Sequence, residues 1–104
     1  MTTYRLEPLA SQRLDEIYQY TRALWGATQA DAYISGLFDA FGEIAARQTP
    51  WRAIPAEYGV VGYFARCGRH LIFWREMDDG AVAIAAILHE RMDVASRLRL
   101  ELGD

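Results

Sequence analysis

Histidines and arginines in the last third of the chain are the residues that could do chemistry. His70 and His89 could each transfer a proton, and nearby arginines could stabilise the negative charge of a phosphate in a transition state. The arginines of this segment are Arg66, Arg69, Arg75 and Arg91. A general acid, a general base and a cationic clamp would suffice for metal-free cleavage of RNA. The simpler interpretation is that these arginines form ion pairs with Glu76, Asp78, Asp79 and Glu90.

Two patterns in the same segment invite a metal interpretation. The sequence His89-Glu90-Arg91-Met92-Asp93 begins like the zinc motif HExxH, but an aspartate stands where the second histidine is required. Cys67 and His70 are closely spaced, yet the sequence offers no evident fourth ligand. We therefore expect neither a metal nor another cofactor, and we interpret Cys67 and His70 as a half-buried thiol and a hydrogen-bonded imidazole.

The composition limits the class of protein. The 104 residues are enough for one domain, predicted to span 1–104, and the net charge is −3. Fourteen acidic residues outnumber the eleven basic residues, which are all arginines, so no overall positive field steers the chain toward nucleic acid. A single cysteine, no signal-peptide pattern and no apolar run of about 20 residues predict a cytoplasmic protein without a membrane partner.

The first half of the sequence predicts a strand and two helices. Tyr4 to Glu7 alternates like a short strand before Pro8. Apolar residues at helical spacing then predict a first helix that ends at Gly26. A second apolar face at helical spacing follows Thr28 and Asp31, which resemble a capping box, and predicts a second helix. The first face comprises Ala10, Leu14, Ile17, Thr21 and Leu24, and the second comprises Ala30, Ile34, Leu37, Phe41 and Ile44. We expect an antiparallel helical hairpin.

The second half predicts a sheet and a short final helix. Strands are expected at 63–67, 69–76 and 81–89, with Asp79-Gly80 as a tight turn and 48–62 as a connection. A helix with Asp93 as its cap is expected to end near Leu102. The fold class is α+β, with the helical hairpin packed on one face of a mostly antiparallel sheet of about four strands.

Strand alternation predicts that both faces of this sheet are apolar. In the last strand, Val82, Ile84, Ala86 and Leu88 are expected on one face, with Ala83, Ala85, Ile87 and His89 on the other. The helical hairpin can cover only one face, so we expect a partner or the C-terminal tail on the second. We interpret Trp25, Trp51 and Trp74 as packing residues.

Taken in order, several motifs make the chain resemble the ParE toxins of the RelE/ParE superfamily. The resemblance covers nearly the whole length. It rests on Leu14-Asp15-Glu16-Ile17-Tyr18 with Tyr20, Trp25-Gly26, Gln29-Ala30, Tyr33 with Leu37, Gly68 to Arg75, Asp79-Gly80, and Ile87 to Asp93.

The resemblance implies a function and partners. ParE toxins inhibit DNA gyrase and are neutralised by ParD-like antitoxins, whose C-terminal segments wrap the toxin. It implies a toxin that acts by binding, without catalytic residues of its own, and that contacts nucleic acid only through the antitoxin or gyrase. An apolar groove edged by arginine suits such a segment. The residues expected to bind the antitoxin or the target are Arg66, Arg69, Trp74, Arg75, His89, Arg91 and Met92.

Two alternatives stay open beside this interpretation. The RelE branch implies cleavage of mRNA in the ribosome, for which His70, His89, Arg66, Arg69 and Arg91 would be the catalytic residues. The absence of lysine and the net negative charge make this the second choice. The chain could also be an inactive toxin homologue that persists as a binding module.

Overall fold

A computed structural model describes residues 3–103 as three helices and a five-stranded sheet. The predicted α+β class is confirmed. The elements are β1 (Tyr4–Leu6), α1 (Pro8–Trp25), α2 (Ala27–Ala45), β2 (Arg52–Ala53), β3 (Tyr63–Cys67), β4 (His70–Glu76), β5 (Val82–His89) and α3 (Val94–Leu102).

The helical hairpin forms around Gly26. This glycine ends α1 and also precedes the first residue of α2, with a φ of 90° that favours glycine. The predicted capping box of Thr28 and Asp31 is wrong, because α2 begins at Ala27 and Asp31 instead accepts a hydrogen bond of 2.8 Å from the Tyr18 hydroxyl. Asp31 therefore links the two helices near their turn.

The sheet has the strand order β1-β5-β4-β3-β2, in which β1 is parallel to β5 and the other pairs are antiparallel. The fifth strand arises because Arg52 and Ala53, inside the predicted connection, pair with Phe64 and Tyr63. The connection also contains a single 3₁₀ turn at Ala56–Tyr58. The sequence missed β2 because two residues are too few to show a period.

A bulge in β5 changes which side chains share a face. Phe73 pairs with Ala86, but the next residue, Trp74, pairs with Ile84, so Ala85 is an extra residue. As a result Val82, Ile84 and Ile87 pack under the helical hairpin, whereas Ala85, Ala86 and Leu88 face the other way. Strict alternation through β5 was therefore a wrong prediction, since an inserted residue reverses the parity beyond it.

The C-terminal helix covers the second face of the sheet. The sequence predicted that either a partner or the C-terminal tail would cover this face. Leu98 and Leu102 of α3 pack with Phe73, Leu88 and the connection residue Ile54. Asp93 caps α3 by accepting a hydrogen bond from the Ser96 backbone N–H. Within residues 3–103, no helix has the length and apolar character needed to cross a membrane.

Candidate functional site

A groove of about 930 Å³ lies between α1 and the end of the sheet where β3 turns into β4 and where β5 ends. It combines exposed apolar, aromatic and basic side chains. The groove is lined by Arg13, Glu16, Ile17, Tyr20, Thr21, Leu24, Trp25, Gln29, Tyr33, Gly68, Arg69, His70, His89, Arg91 and Met92. Its lining thus contains five of the eight residues that the sequence offered as binding or catalytic candidates: Arg69, His70, His89, Arg91 and Met92.

Two imidazoles meet at the sheet end of the groove. His70 and His89 lie directly opposite each other on β4 and β5, and their rings make an edge-to-face contact with centroids 5.1 Å apart. The Nδ1 atom of His89 accepts a hydrogen bond of 3.1 Å from the Arg91 backbone N–H. An accepting Nδ1 carries no proton, so the ring proton of His89 is on Nε2.

The Tyr33 hydroxyl is hydrogen-bonded to Nδ1 of His70, and a hydroxyl can be either the donor or the acceptor in such a bond. It accepts a hydrogen bond of 3.1 Å from the Arg69 backbone N–H, and its oxygen lies 2.6 Å from Nδ1 of His70. We assign the hydroxyl as donor to Nδ1, which leaves the proton of His70 on Nε2. Gly68 makes this approach possible: its φ is +60°, and a Cβ at this position would lie 2.8 Å from the Tyr33 hydroxyl oxygen.

Burial and neighbouring positive charge both disfavour the charged form of His70. Burial is the largest cause, followed by His89 and Arg13, and together they lower the pKa of His70 to about 4 although Glu90 opposes them. Burial likewise raises the pKa of the Tyr33 hydroxyl, which therefore keeps the proton that it donates. Near neutral pH, His70 is a neutral hydrogen-bond donor through Nε2.

Arginines form the rim of the groove but differ in their pairing. Arg69 has a side chain 70% exposed, and its guanidinium is 3.9 Å from Glu90, which also pairs with Arg66 at 3.1 Å. Arg13 is engaged with Glu101 at 2.8 Å and with Glu16 at 3.4 Å. Within residues 3–103, Arg91 has no ion pair. Arg91 is therefore the groove cation most available to a ligand.

The ion pairs that the sequence suggested are confirmed for Glu90, whereas Glu76 and Asp79 have other partners and Asp78 has no ion pair within residues 3–103. Glu76 pairs with Arg47 from the end of α2, and the Asp79 carboxylate accepts a hydrogen bond from the Ala81 backbone N–H inside the turn. The hairpin acids therefore neutralise only part of the arginine cluster.

The last turns of α1 form an apolar wall beside the basic rim. Tyr20, Leu24 and Trp25 are 69%, 56% and 72% exposed. The predictions that Leu24 belongs to the buried helical face and that Trp25 packs inside are wrong, because no residue of α1 beyond Ile17 is buried. Sequence reasoning therefore missed this wall. The signal available in the sequence was the presence of two aromatic residues, Tyr20 and Trp25, near the predicted end of the helix.

Three of the predicted binding residues lie elsewhere. Trp74 is fully buried between the helical hairpin and the sheet, so its side chain is not accessible to a partner, which corrects its assignment to a binding surface. Arg75 donates a hydrogen bond of 2.8 Å to the Leu102 carbonyl of α3 on the opposite face. Arg66 is opposite Leu71 in register and also belongs to that face.

The histidine end of the groove is suited to hydrogen bonding more than to metal binding. Within residues 3–103, no group of three or more His, Cys, Asp or Glu side chains is placed to hold a metal ion. Coordination through Nε2 would require the ring proton to move to Nδ1, and at His89 that atom faces a backbone N–H donor.

Comparisons with known proteins agree with the fold and the motif order. Residues 4–94 match the model of the family described as ParE toxin of the type II toxin-antitoxin system parDE. The chain is 36% identical to Toxin ParE of Escherichia coli, with 94% of each chain covered. It is 34% identical to Toxin ParE1 of Caulobacter vibrioides, covering 94% of this chain and 99% of that one.

A third relative and a solved structure extend the similarity. The chain is 34% identical to Toxin ParE1 of Mycobacterium tuberculosis (strain ATCC 25618 / H37Rv), over 91% of this chain and 96% of that one. A structure described as the chromosomal ParDE TA system from P. aeruginosa shares the fold, with a TM-score of 0.68 and 17% identity over 86% of this chain and 96% of that chain. The family match and these identities over nearly the full length establish that the chain belongs to the ParE toxins of type II toxin-antitoxin systems.

Proposed function

We propose that this toxin arrests bacterial growth in the cytoplasm by binding DNA gyrase and that a ParD-like antitoxin neutralises it. The observation that carries the proposal is the match to the ParE family over residues 4–94, together with relatives that keep the same length. A binding mode is further supported by the groove, since its exposed apolar wall and basic rim are features of protein interfaces.

The groove is the proposed site for the antitoxin. A segment that folds on binding could place an apolar helical face against Tyr20, Leu24 and Trp25, which are the most accessible apolar side chains of the lining. Acidic side chains on the same segment would meet Arg69 and Arg91. Such a segment would be disordered when free, because its apolar residues would have no core of their own.

The groove proposal is tested by paired substitutions in the complex with the antitoxin. Trp25→Ala is expected to weaken antitoxin binding by at least about tenfold, since a large exposed aromatic at an interface often dominates affinity. Arg69→Ala is expected to weaken binding less, and Arg66→Ala is its matched control, because both arginines pair with Glu90 but only Arg69 lines the groove. Calorimetry with the co-encoded antitoxin measures all three.

The groove assignment would be contradicted if Trp25→Ala bound the antitoxin with unchanged affinity, or if Arg66→Ala lost more affinity than Arg69→Ala. The fold of each variant is checked by circular dichroism and thermal unfolding. These side chains are exposed, so each substitution should change the free energy of unfolding by less than about 0.5 kcal/mol.

The gyrase proposal is tested with purified components. The toxin is mixed with gyrase and relaxed plasmid DNA, and supercoiling and trapped DNA breaks are followed on gels. Loss of supercoiling together with accumulated breaks is expected, and addition of the antitoxin should restore supercoiling. Normal supercoiling at a large excess of toxin would remove gyrase as the target.

One observation keeps RelE-like mRNA cleavage as a second candidate. The ring centroids of His70 and His89 lie 5.1 Å apart in the groove that Arg69 and Arg91 also line, and these side chains could supply an acid, a base and cations for phosphate chemistry. If this candidate were right, His70→Gln or His89→Gln would abolish growth arrest while preserving antitoxin binding. An inactive homologue would instead fail to arrest growth in any form.

A further inference from the structure

We propose that His70 and His89, flanked by Arg69 and Arg91, form a subsite that binds a carboxylate from an acidic side chain of the partner segment. This inference deepens the proposed function, because it rests on the groove being the site of a protein partner. It assigns to the histidine pair a role in recognition without proton transfer to a substrate.

The hydrogen-bonding pattern dictates which kind of ligand atom the pair can accept. The Nδ1 atom of His89 accepts a hydrogen bond from the Arg91 backbone N–H, and we assign Nδ1 of His70 as the acceptor of the Tyr33 hydroxyl. The remaining ring nitrogen of each histidine is a protonated Nε2, which can only donate. Neither Nε2 has a hydrogen-bond partner within residues 3–103. A ligand therefore has to bring oxygen acceptors.

The charges around the pair favour an anion. Two carboxylates are near: Glu16 on α1 is paired with Arg13, and Glu90 after β5 is held by Arg66 and Arg69. Arg13 is itself shared with Glu101. These internal pairs leave the Arg91 guanidinium as a positive charge without an internal acid among the described residues. A carboxylate bound here would receive two N–H donors and at least one cation.

A peptide carboxylate fits the surroundings better than a nucleic-acid phosphate. The apolar wall of Tyr20, Leu24 and Trp25 lines the same groove as the two histidines. A helical peptide can present apolar residues to this wall and an acid one or two turns further along the same face. Nucleic acid would need several cations along its backbone, whereas the whole chain carries a net charge of −3.

The subsite makes binding depend on pH. A bound carboxylate would favour the protonated imidazole of His70. In the free protein, the protonated form is disfavoured by burial of the ring and by the neighbouring His89 and Arg13. Arg69 and Arg91 add further positive charge from the rim of the groove. The Glu90 carboxylate acts in the opposite direction. Carboxylate binding is therefore coupled to proton uptake at Nδ1 of His70, where the Tyr33 hydroxyl would turn from hydrogen-bond donor to acceptor. Affinity for a carboxylate should rise as the pH falls below neutrality.

The test uses the free toxin and small anions, so it does not depend on the identity of any partner. Nitrogen-15 NMR of the imidazoles first reports the tautomers, and protons on both Nε2 atoms are expected. Sodium acetate is then titrated at constant ionic strength against sodium chloride, with inorganic phosphate as a separate series. We expect saturable shifts of both imidazoles and of the Arg91 side chain, with a Kd on the order of 100 mM or tighter.

Each result has one meaning. Saturable acetate shifts that strengthen as the pH falls, and that disappear in His89→Gln while the backbone spectrum stays folded, would support the subsite. Protons on Nδ1, or acetate shifts equal to those in chloride, would overturn it. Phosphate binding at least about tenfold tighter than acetate would also overturn it, because it would point to a nucleic-acid backbone.

These results separate the subsite from the proposed function. If acetate binds but the toxin leaves gyrase untouched, the subsite stands and the target changes. If gyrase is inhibited but acetate does not bind, the gyrase proposal is supported and the histidine pair does not recognise a carboxylate. Tyr33→Phe adds a further check, since it removes the hydroxyl that fixes His70 and should allow its ring proton to occupy both nitrogens.

Discussion

His70 couples the stability of the protein to pH at the scale of a single residue. Its pKa falls from an ordinary 6.5 to about 4 in the folded state, chiefly because of burial. Between these two values the unfolded chain binds the proton and the folded one does not, so this contribution to stability is complete above pH 6.5 and is lost as the pH falls toward 4.

The corresponding prediction compares His70→Gln with the parent chain. Glutamine can accept the Tyr33 hydrogen bond but does not titrate, so the loss of unfolding free energy from about pH 7.5 to about pH 5 should be smaller by about 1–2 kcal/mol, after allowance for partial solvent access. Urea unfolding at both pH values measures it. An identical pH dependence in the two proteins would contradict the assigned burial.

The ion pair of Arg13 and Glu101 joins α1 to α3. Their side chains are 18% and 8% exposed, and Arg13 Nε and Glu101 Oε1 have no hydrogen bond within the described chain. Glu101→Gln should destabilise the protein by about 2 kcal/mol, because it removes the nearer and more buried of the two carboxylates that pair with the largely buried Arg13 guanidinium. Denaturant unfolding measures the change.

Glu16→Gln provides the matched control for Glu101→Gln. Glu16 also pairs with Arg13, but its side chain is 55% exposed, so its loss should cost less than about 0.5 kcal/mol. Equal losses of unfolding free energy in Glu101→Gln and Glu16→Gln would mean that burial does not make the Arg13–Glu101 pair more stabilising than the Arg13–Glu16 pair.

The sequence identified several residues of the site but could not assemble them. His70 and His89 were each named as a candidate for proton transfer, but their contact depends on the register of β4 and β5. Tyr33 was part of a family motif, and its bond to His70 joins residues 37 positions apart. Trp74 received two predictions: its interpretation as a packing residue is confirmed, and its place among the binding residues is wrong, because the side chain is fully buried in the core.

At the scale of elements, α3 is an integral layer of the domain. Leu98 is fully buried against the second face of the sheet, whereas Leu100, two residues later, is 75% exposed. Leu98→Ala should lower the unfolding free energy by about 3 kcal/mol, through lost burial and a cavity. Leu100→Ala, the same chemical change on the same helix, should cost less than about 0.5 kcal/mol.

Thermal or urea unfolding of both variants tests the role of α3. Similar stability of Leu98→Ala and the parent protein would mean that the C-terminal helix does not pack on the sheet in solution. In that event the apolar second face would be open to a partner.

Elements with strong local signals were predictable, and those defined by distant pairing were not. Gly26 and Asp93 mark helix ends through their own conformational and capping chemistry. The strand β2 and the bulge at Ala85 have no local signal, because both are defined by the neighbouring strand. The parallel pairing of β1 with β5 likewise depends on the whole sheet.

At the scale of the whole molecule, the distribution of charge matters more than its sum. The chain is acidic overall, yet its groove has arginines on the rim and an aromatic wall beside them. An acidic amphipathic segment fits this local pattern. Composition predicted that any basic surface must be local, but only the fold could locate it, because it joins α1, the β3–β4 turn and the end of β5.

The measurement that tests the central claim most directly is controlled induction of this chain alone in bacteria, with DNA and protein synthesis followed separately by pulse labelling. A gyrase-directed toxin should stop DNA synthesis first while cells elongate and protein synthesis continues. Protein synthesis that stops first would contradict the account and would make His70, His89 and the groove arginines candidates for mRNA cleavage.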